Sequence, residues 1–168
     1  VLEIRTLRMP RLYDITWTKP PQLVERYLRV EVDERINAKG EVERPLARAE
    51  IARAVEELMG QGVEAIAVCL LHSYANPVHE QMIKATVSEI APSVTLCVSS
   101  EVLPEIKEYE RSSTTVINAY VKPLTAGYLG RLENGIAEAG FRSPLQIMLS
   151  NGGIATARTA AEFPDRLV

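Results

Sequence analysis

The chain of 168 residues carries a net charge of −3, and hydrophobic residues make up 46% of it, which is typical of a soluble globular protein. Acidic and basic residues are interspersed, so no surface for nucleic acid is predicted. No apolar run approaches the ~20 residues that span a bilayer, and the N-terminus lacks the apolar stretch of a signal peptide.

The front of the chain, residues 1–45, is predicted to form an irregular lead-in followed by a β-hairpin. The lead-in contains prolines and shows no sustained hydrophobic period. Apolar and charged residues alternate from Tyr27 to Ile36, which is typical of a half-buried strand. Turn residues at 37–40 and a returning strand at Glu41–Arg44 complete the hairpin.

The rest of the chain, residues 46–168, is predicted to form an α/β body that is part of a larger domain. A helical period begins at Ala47 and ends at Gly60 or Gly62. The run Val63–Leu71 is almost wholly apolar, as in a strand covered on both faces. Asn76 and Pro77 then predict the cap and first residue of a second helix.

A second buried strand is predicted at Val94–Val98, followed by a charged segment in which a helix begins at Pro104. Ser112 is expected to cap a further helix, and Pro123 is expected to interrupt it. Nine apolar residues are expected to face inward along these helical stretches: Val116, Ile117, Tyr120, Val121, Leu124, Tyr128, Leu129, Leu132 and Ile136.

A third buried strand is predicted at residues 145–149, and a last short helix at Thr156–Phe163. Cys69 and Cys97 fall in strand-like runs and are predicted to be free thiols, which is consistent with a reducing cytoplasm. The pattern as a whole predicts an α/β fold with a mainly parallel sheet, helical crossovers and an N-terminal β-hairpin.

The three buried strands end in polar or glycine-rich exits, at His72–Ser73, Ser99–Glu101 and Ser150–Gly153. Helical crossovers make adjacent strands parallel, so the three exits are expected to share one edge of the sheet. In open α/β sheets ligands bind outside the carboxyl ends of the strands. This edge is therefore the predicted site.

Each candidate side chain at this edge has a second interpretation. The Ser150–Gly153 segment could cradle an anionic or amide group with its N–H groups, or form a plain tight turn. Arg111 could hold a phosphate or carboxylate, or pair with Glu108. Asn118 could reach a neighbouring loop. His72 and His79 are spaced poorly for a metal pair on one helix, so no metal site is predicted.

Three stretches resemble signatures of the hydantoinase A/5-oxoprolinase family, and they occur in the family's order. They are Leu71–Glu80 (LHSYANPVHE), Glu101–Tyr120 (EVLPEIKEYERSSTTVINAY) and Ser150–Gly153 (SNGG). The similarity covers nearly the whole chain, from Leu12 to Gly153.

The resemblance implies part of an actin-like/sugar-kinase ATPase fold. Members of that family use ATP and Mg²⁺ to open a cyclic amide or ureide, such as a hydantoin or 5-oxoproline. Related subunits activate ketones of the acetone or acetophenone type for carboxylation. The implied chemistry is transfer of the γ-phosphoryl group to a substrate carbonyl oxygen, which makes the carbon electrophilic.

The resemblance also implies roles for individual residues. Asn151, Gly152 and Gly153 are expected to face the substrate or the nucleotide. The expected catalytic residues are Glu105 and Arg111. Other residues expected to face the ligand are Ser150, His72, Ser73 and Asn118.

The chain departs from the family pattern because both of the family's Asp-x-Gly-Gly-Thr phosphate segments are absent, as is its Ser-Gly-Pro segment. Since the chain also begins with Val1, we expect a piece of the N-terminal half of such an enzyme, inactive and without bound ATP on its own. A hydantoinase B-type subunit or domain is the implied partner. An interaction module that associates through the front hairpin, with homo-oligomers as one form, is the alternative expectation.

Overall fold

The computed structural model describes residues 1–5, 11 and 13–167 of the chain. Part of the expected lead-in, residues 6–10 and 12, lies outside the described residues. The chain forms two compact units, Val1–Val116 and Ile117–Val168, and one long helix runs from the first into the second. No helix in the described part of the chain is both long and apolar enough to cross a bilayer.

The first unit combines a short hairpin with a small α/β layer. Its elements, in chain order, are a 3₁₀ helix (Arg26–Leu28), β1 (Arg35–Ile36), β2 (Val42–Arg44), α1 (Arg48–Gly60), β3 (Ala65–Val68), α2 (Val78–Ile90), β4 (Thr95–Val98), α3 (Ser99–Val102) and the start of α4 (Glu108–Glu138). The second unit contains the rest of α4, then β5 (Gln146–Met148), β6 (Ile154–Thr156), α5 (Ala157–Glu162) and a 3₁₀ helix (Pro164–Arg166).

Strands β3 and β4 pair in parallel, in register from Ala65 opposite Thr95 to Val68 opposite Val98. Helix α2 supplies the crossover, which makes this orientation the expected one. The two helices α1 and α2 cover the pair and bury an apolar core beneath them. Its buried members are Leu46, Ile51, Val55, Ile66, Val68, Ile83, Val87, Ala91 and Val98.

The predicted first strand is much shorter than the alternation suggested. Only Arg35–Ile36 pairs, with Val42–Arg44, and Gly40 closes the turn with φ at +83°. The residues before it are held by side chains of α1 instead. The Asp33 N–H donates to Glu50 Oε2 at 2.5 Å, and Arg53 donates to the Glu31 carbonyl at 3.1 Å. The backbone groups of a segment with alternating apolar residues can therefore bond to side chains of a neighbouring helix instead of to a partner strand.

The prediction that residues 145–149 form a third strand parallel to the other two is wrong, because this strand has a different partner. Strand β5 pairs antiparallel with β6 in a separate two-stranded sheet, with Met148 opposite Ile154. The connection between them is the tight turn at Ser150–Gly153, and such a short connection permits only antiparallel pairing. The β5 residues Gln146 and Met148 are exposed rather than buried.

Two predictions from prolines are wrong for α4: the helix does not begin at Pro104, and Pro123 does not interrupt it. A separate short helix, α3, ends at Val102, and Leu103 takes a non-helical conformation, as expected for the residue before Pro104. Helix α4 then begins at Glu108. Ser112 and Pro123 both lie inside α4, which continues through them to Glu138. A proline inside a helix removes one backbone donor, and here the helix continues past that loss.

Candidate functional site

The ends of β3 and β4 lie side by side, so the residues that follow them meet at one edge of the small sheet. Val68 and Val98 are paired in the final register position of the two strands. Just beyond them the hydroxyls of Ser73 and Ser99 are 3.0 Å apart, and both residues are buried. Two of the three predicted exits therefore come together. The third, Ser150–Gly153, belongs to the second unit.

Glu80 is the centre of this edge, and its side chain is fully buried. Its Oε1 accepts hydrogen bonds from the Leu70 N–H at 2.9 Å and from Ser99 Oγ at 2.6 Å. Its Oε2 accepts from the Ser100 N–H at 2.8 Å. We call Leu70, Ser73, Glu80, Ser99 and Ser100 the strand-end cluster. Since the Ser99 hydroxyl hydrogen is directed at Glu80, Ser73 is the donor to Ser99.

The carboxylate of Glu80 forms no ion pair among the residues that the structure describes. Three donors take the place of a cation, and Glu80 also lies in the first turn of α2, where the helix dipole favours negative charge. A buried carboxylate is tolerated only when such donors are in place. The cluster therefore fixes the start of α2 to the ends of both strands.

Arg111 holds the same strand end from the other side. Its side chain is buried, and Nη2 donates to the Leu70 carbonyl at 2.8 Å. Nη1 reaches the Glu105 carbonyl at 3.4 Å, and the guanidinium lies 5.7 Å from the centre of the Tyr74 ring. Both backbone groups of Leu70 are thus held by buried charged side chains, the N–H by Glu80 and the carbonyl by Arg111.

The two residues expected to be catalytic are in contact, but only through a backbone atom. Arg111 meets the carbonyl oxygen of Glu105, whose side chain is exposed in the segment before α4. The alternative pairing of Arg111 with Glu108 is absent among the described ion pairs. The Nε atom of Arg111 is buried without a hydrogen-bond partner in the described structure.

Cys69 borders the strand-end cluster, and its thiol is free. Burial raises the pKa of this thiol to about 11, and the Glu80 carboxylate contributes in the same direction. Hydrogen bonds from Thr115 and Ser112 and the charge of Arg111 oppose the shift. The thiol is consequently protonated at neutral pH and unsuited to act as a nucleophile.

His72 lies at the exit of β3 in a conformation that non-glycine residues rarely adopt, with φ at +58°. Its carbonyl accepts from the N–H groups of Ala75 at 2.9 Å and Asn76 at 3.2 Å, which holds the turn in place. Its ring stands edge-on to Tyr74, and Nδ1 is 3.4 Å from the Tyr74 hydroxyl. Such backbone conformations cluster at functional sites, so His72 stays a predicted site residue.

The polar side chains at the start of α2 fasten the front hairpin to the body. Asn76 donates to the Gly40 carbonyl at 2.8 Å. His79 accepts the Leu46 N–H at Nε2, 3.4 Å away, so its Nδ1–H donates to Glu34 at 2.6 Å. In the described part of the chain no three His, Cys, Asp or Glu side chains come together as a metal site.

In the second unit the N–H groups of Gly152 and Gly153 bond within the Ser150–Gly153 turn and to the residue before it. The Gly152 N–H donates to the Leu149 carbonyl, and the Gly153 N–H donates to Asn151 Oδ1 at 2.9 Å. Gly152 takes φ at +83°, a conformation that glycine adopts without strain. This geometry is that of a tight turn, the second of the two interpretations of the SNGG sequence.

Asn118 and Ser150 meet the same short helix, Pro164–Arg166. Asn118 is buried, donates to the Glu162 carbonyl at 3.3 Å and accepts from the Asp165 N–H at 3.2 Å. The hydroxyl and N–H of Ser150 both donate to the Arg166 carbonyl. Burial raises the pKa of Asp165, and one of its oxygens has no hydrogen-bond partner in the described structure.

Sequence reasoning missed Glu80, the residue on which this edge depends. A carboxylate in the first turn of a helix is typical of a solvated helix start, so nothing in its own segment marked it as buried. The available signal was its place at the end of the LHSYANPVHE stretch, where Asn76, His79 and Glu80 all make contacts outside α2.

Comparison with known families and proteins covers almost the whole chain. Residues 1–91 match the family described as the hydantoinase/oxoprolinase N-terminal region, and residues 111–168 match the family described as hydantoinase/oxoprolinase. An uncharacterized protein of Methanocaldococcus jannaschii is 40% identical over 98% of this chain and 24% of its own length.

Two named enzymes are also similar to the chain. The caprolactamase subunit alpha of Pseudomonas jessenii is 39% identical over 85% of this chain and 20% of its own length. The crystal structure of the ATP-dependent caprolactamase from that organism matches with a TM-score of 0.86 and 35% identity, over 98% of this chain and 25% of that chain. The acetophenone carboxylase gamma subunit of Aromatoleum aromaticum is 32% identical over 82% of this chain and 19% of its own length. The chain thus spans a quarter or less of the length of these relatives.

Proposed function

The chain belongs to the hydantoinase/oxoprolinase family, and from this premise we propose that it is part of an ATP-dependent enzyme that opens a cyclic amide or ureide. The proposed reaction transfers the γ-phosphoryl group of ATP to the ring carbonyl oxygen and so prepares the amide carbon for attack by water. The N–C bond of the ring then breaks as the nitrogen takes up a proton, which leaves an acyl phosphate, and a second water releases the phosphate and completes the open-chain acid.

The observation that carries this proposal is the likeness to the ATP-dependent caprolactamase over 98% of the chain, at a TM-score of 0.86. A lactam is a cyclic amide, and so are the rings of hydantoins and 5-oxoproline. Nearly all of this chain therefore has the same fold as part of an enzyme that, by its name, acts on a lactam.

A ketone carboxylase subunit is the second candidate, and a specific observation supports it. The acetophenone carboxylase gamma subunit is 32% identical over 82% of the chain. The caprolactamase subunit is 39% identical over 85%. The difference favours the cyclic amide. Both names describe subunits, so we also propose that the longer protein works with a partner subunit of the hydantoinase B type.

The residues present do not by themselves fit Mg-ATP. The N–H groups of Gly152 and Gly153 donate within their own turn and so leave no cradle for a phosphate. Nor do three acidic, histidine or cysteine side chains gather as a metal site in the described residues. We therefore propose that these residues support the site of the longer enzyme and do not bind Mg-ATP by themselves.

In this supporting role, buried polar residues hold in position the segments that carry exposed residues of the site. Ser73 and Arg111 hold the exit of β3, from which His72 is presented. Asn118 holds the short helix that also accepts from Ser150. In the longer enzyme we propose that His72 and Asn151 face the substrate or the nucleotide, and that the buried residues fix their geometry.

The test is carried out on the longer enzyme that contains this chain. ATP hydrolysis should be stimulated by a lactam, 5-oxoproline or a hydantoin, and the matching open-chain product should appear. Asn151→Ala should lower turnover at least about tenfold, the effect of losing one well-placed polar contact of about 1.4 kcal/mol. Asn134→Ala, at an exposed position of α4, is the matched control and should leave turnover unchanged.

Two results would contradict the proposal. Stimulation by acetone or acetophenone with bicarbonate, and by no cyclic amide, would assign the enzyme to ketone carboxylation. Unchanged turnover in Asn151→Ala would remove Asn151 from the site. Calorimetry with Mg-ATP on the isolated chain is the companion measurement. Micromolar binding would overturn the proposal that this chain only supports the site.

A further inference from the structure

Tyr74 connects a buried cation to a histidine at the edge of the small sheet. The Arg111 guanidinium lies 5.7 Å from the centre of the Tyr74 ring, and the Tyr74 hydroxyl is 3.4 Å from Nδ1 of His72. The two rings stand edge to face, with their centres 5.9 Å apart and their planes at 68°. The orientation of the imidazole at the exit of β3 therefore depends on the tyrosine.

The backbone of His72 is held independently of its ring. Its carbonyl accepts from the N–H groups of Ala75 and Asn76, and the next residue, Ser73, is buried and bonded to Ser99. At φ of +58° a glycine would be free of the strain that a histidine has there. The turn itself gives no reason for a histidine at this position, so what the residue adds is its imidazole.

The hydrogen bond between the two rings can run in either direction, and the charge of Arg111 favours one of them. A tyrosine hydroxyl either donates to Nδ1 or accepts from an Nδ1–H group. A cation beside the ring draws electron density from the phenol, which makes its hydroxyl a stronger donor and a weaker acceptor. In the described part of the chain the Tyr74 hydroxyl has no acceptor other than His72 Nδ1. Tyr74 is therefore the donor.

The other ring nitrogen of His72 then carries the hydrogen. A neutral imidazole has one N–H, so an Nδ1 that accepts leaves the hydrogen on Nε2. No hydrogen bond to this nitrogen exists among the residues that the structure describes, and the side chain is half-buried at the carboxyl end of two parallel strands. Ligands of α/β sheets bind outside such strand ends, and a fixed N–H there is a donor for a ligand oxygen.

The charges at this edge indicate which oxygen such a donor suits. Arg111 is buried and directs its N–H groups to the backbone carbonyls of Leu70 and Glu105, so it presents no positive charge at the exit. A phosphate is bound best by charged donors, whereas a neutral N–H suits a neutral carbonyl. A carbonyl oxygen has two lone pairs, so one can accept from His72 while the other stays available for reaction.

We propose that Tyr74 is a positioning residue that fixes His72 as the Nε2–H tautomer, and that this N–H donates to a carbonyl oxygen of the cyclic amide or ureide. The identity of the ligand rests on the proposed function, whereas the tautomer does not. In this role His72 orients the ring as a neutral hydrogen-bond donor and transfers no proton.

Nitrogen NMR of the imidazole rings at alkaline pH measures the tautomer in the 168-residue chain, which contains only two histidines. His72 should carry its hydrogen on Nε2. His79 is the internal reference with the opposite tautomer, because its Nδ1 donates to Glu34 while its Nε2 accepts from Leu46. Tyr74→Phe should convert His72 to a mixture of tautomers and leave His79 unchanged.

Tyr128→Phe is the matched control for Tyr74→Phe, since it removes the hydroxyl of an exposed tyrosine, and both histidines should keep their tautomers in it. A His72 hydrogen on Nδ1 in the wild type would overturn the proposal. An unchanged His72 tautomer in Tyr74→Phe would overturn it as well.

Kinetics of the longer enzyme test the contact with the ligand. His72→Ala should raise the KM for the cyclic amide at least about tenfold, with the KM for ATP unchanged. His72→Gln should recover most of this loss, because its amide N–H group replaces the donor but cannot take up or release a proton as an imidazole does.

Two kinetic results would contradict the assigned contact. Equal losses in His72→Gln and His72→Ala would exclude a donor role, and a raised KM for ATP alone would assign the donor to the nucleotide instead. A wild-type enzyme that opens no cyclic amide would overturn the proposed function and the ligand named here, while the tautomer is decided by NMR alone.

Discussion

Replacing Glu80 by alanine is expected to lower the free energy of unfolding by about 3–5 kcal/mol, the largest effect of any single substitution considered for this chain. The change leaves the Leu70 N–H, the Ser99 hydroxyl and the Ser100 N–H buried without their acceptor. Urea unfolding followed by circular dichroism measures the loss.

Glu80→Gln keeps the volume and one acceptor oxygen, so it should lose less stability than the alanine variant does and should remain folded. Glu108→Ala is the matched control, because Glu108 also lies in the first turn of its helix but is exposed. It should change the unfolding free energy by less than about 0.5 kcal/mol. Equal effects at positions 80 and 108 would show that the strand-end cluster does not stabilise the fold.

Replacing Arg111 by alanine is expected to cost about 2–4 kcal/mol in the same unfolding measurement. The Leu70 carbonyl loses its charged donor, Tyr74 loses the guanidinium beside it, and a cavity replaces a large buried side chain. Arg111→Lys should recover less than half of the loss, because one ammonium group cannot reach both carbonyls in the geometry of the guanidinium fork.

Arg131→Ala, at an exposed position of the same helix, is the control for Arg111 and should be nearly neutral. If Arg111→Ala unfolded at the same urea concentration as the wild type, the guanidinium would not be needed for the fold. Its role as the holder of a phosphate or a carboxylate, the first of the two interpretations of this residue from the sequence, would then be favoured.

The core of the first unit could be predicted from sequence because its signals are local. The apolar run at 63–71 and the helical period after Ala47 each fix one element without reference to the others. The Asn76–Pro77 signal places the start of α2 one residue too early, since the N-cap is Pro77 and the helix begins at Val78. The helical crossover between β3 and β4 then determines their parallel pairing. These elements bring His72 and Ser99 to one edge, as the sequence predicts.

The pairing of β5 was missed although a signal for it exists. Asn151–Gly152 between two short apolar runs is a hairpin signature, and it indicates β6 as the partner strand. The helical crossovers earlier in the chain favoured a third parallel strand instead. The turn residues are the better predictor here, because two strands joined by a tight turn can pair only in antiparallel orientation.

The buried charges could not be predicted, because their burial depends on residues far away in sequence. Glu80 meets backbone groups ten and twenty positions away, and His79 meets Glu34 forty-five positions away. Neither carboxylate differs in its own segment from a solvated one. The prediction that Tyr120 and Leu124 of α4 face inward is wrong for the same reason: both are exposed, and the period of a helix does not reveal which of its sides the fold will cover.

Glu80 and Arg111 together hold the backbone of Leu70 at the end of β3, so the rate of hydrogen exchange at the Leu70 amide reports whether they do. In the wild type this amide should exchange only through global unfolding, whereas in Glu80→Ala, which removes the acceptor of its N–H, it should exchange much faster than the amides of Ile66 and Val68 in β3. Rapid exchange at Leu70 in the wild type, or equal rates in the two proteins under native conditions, would contradict the claim.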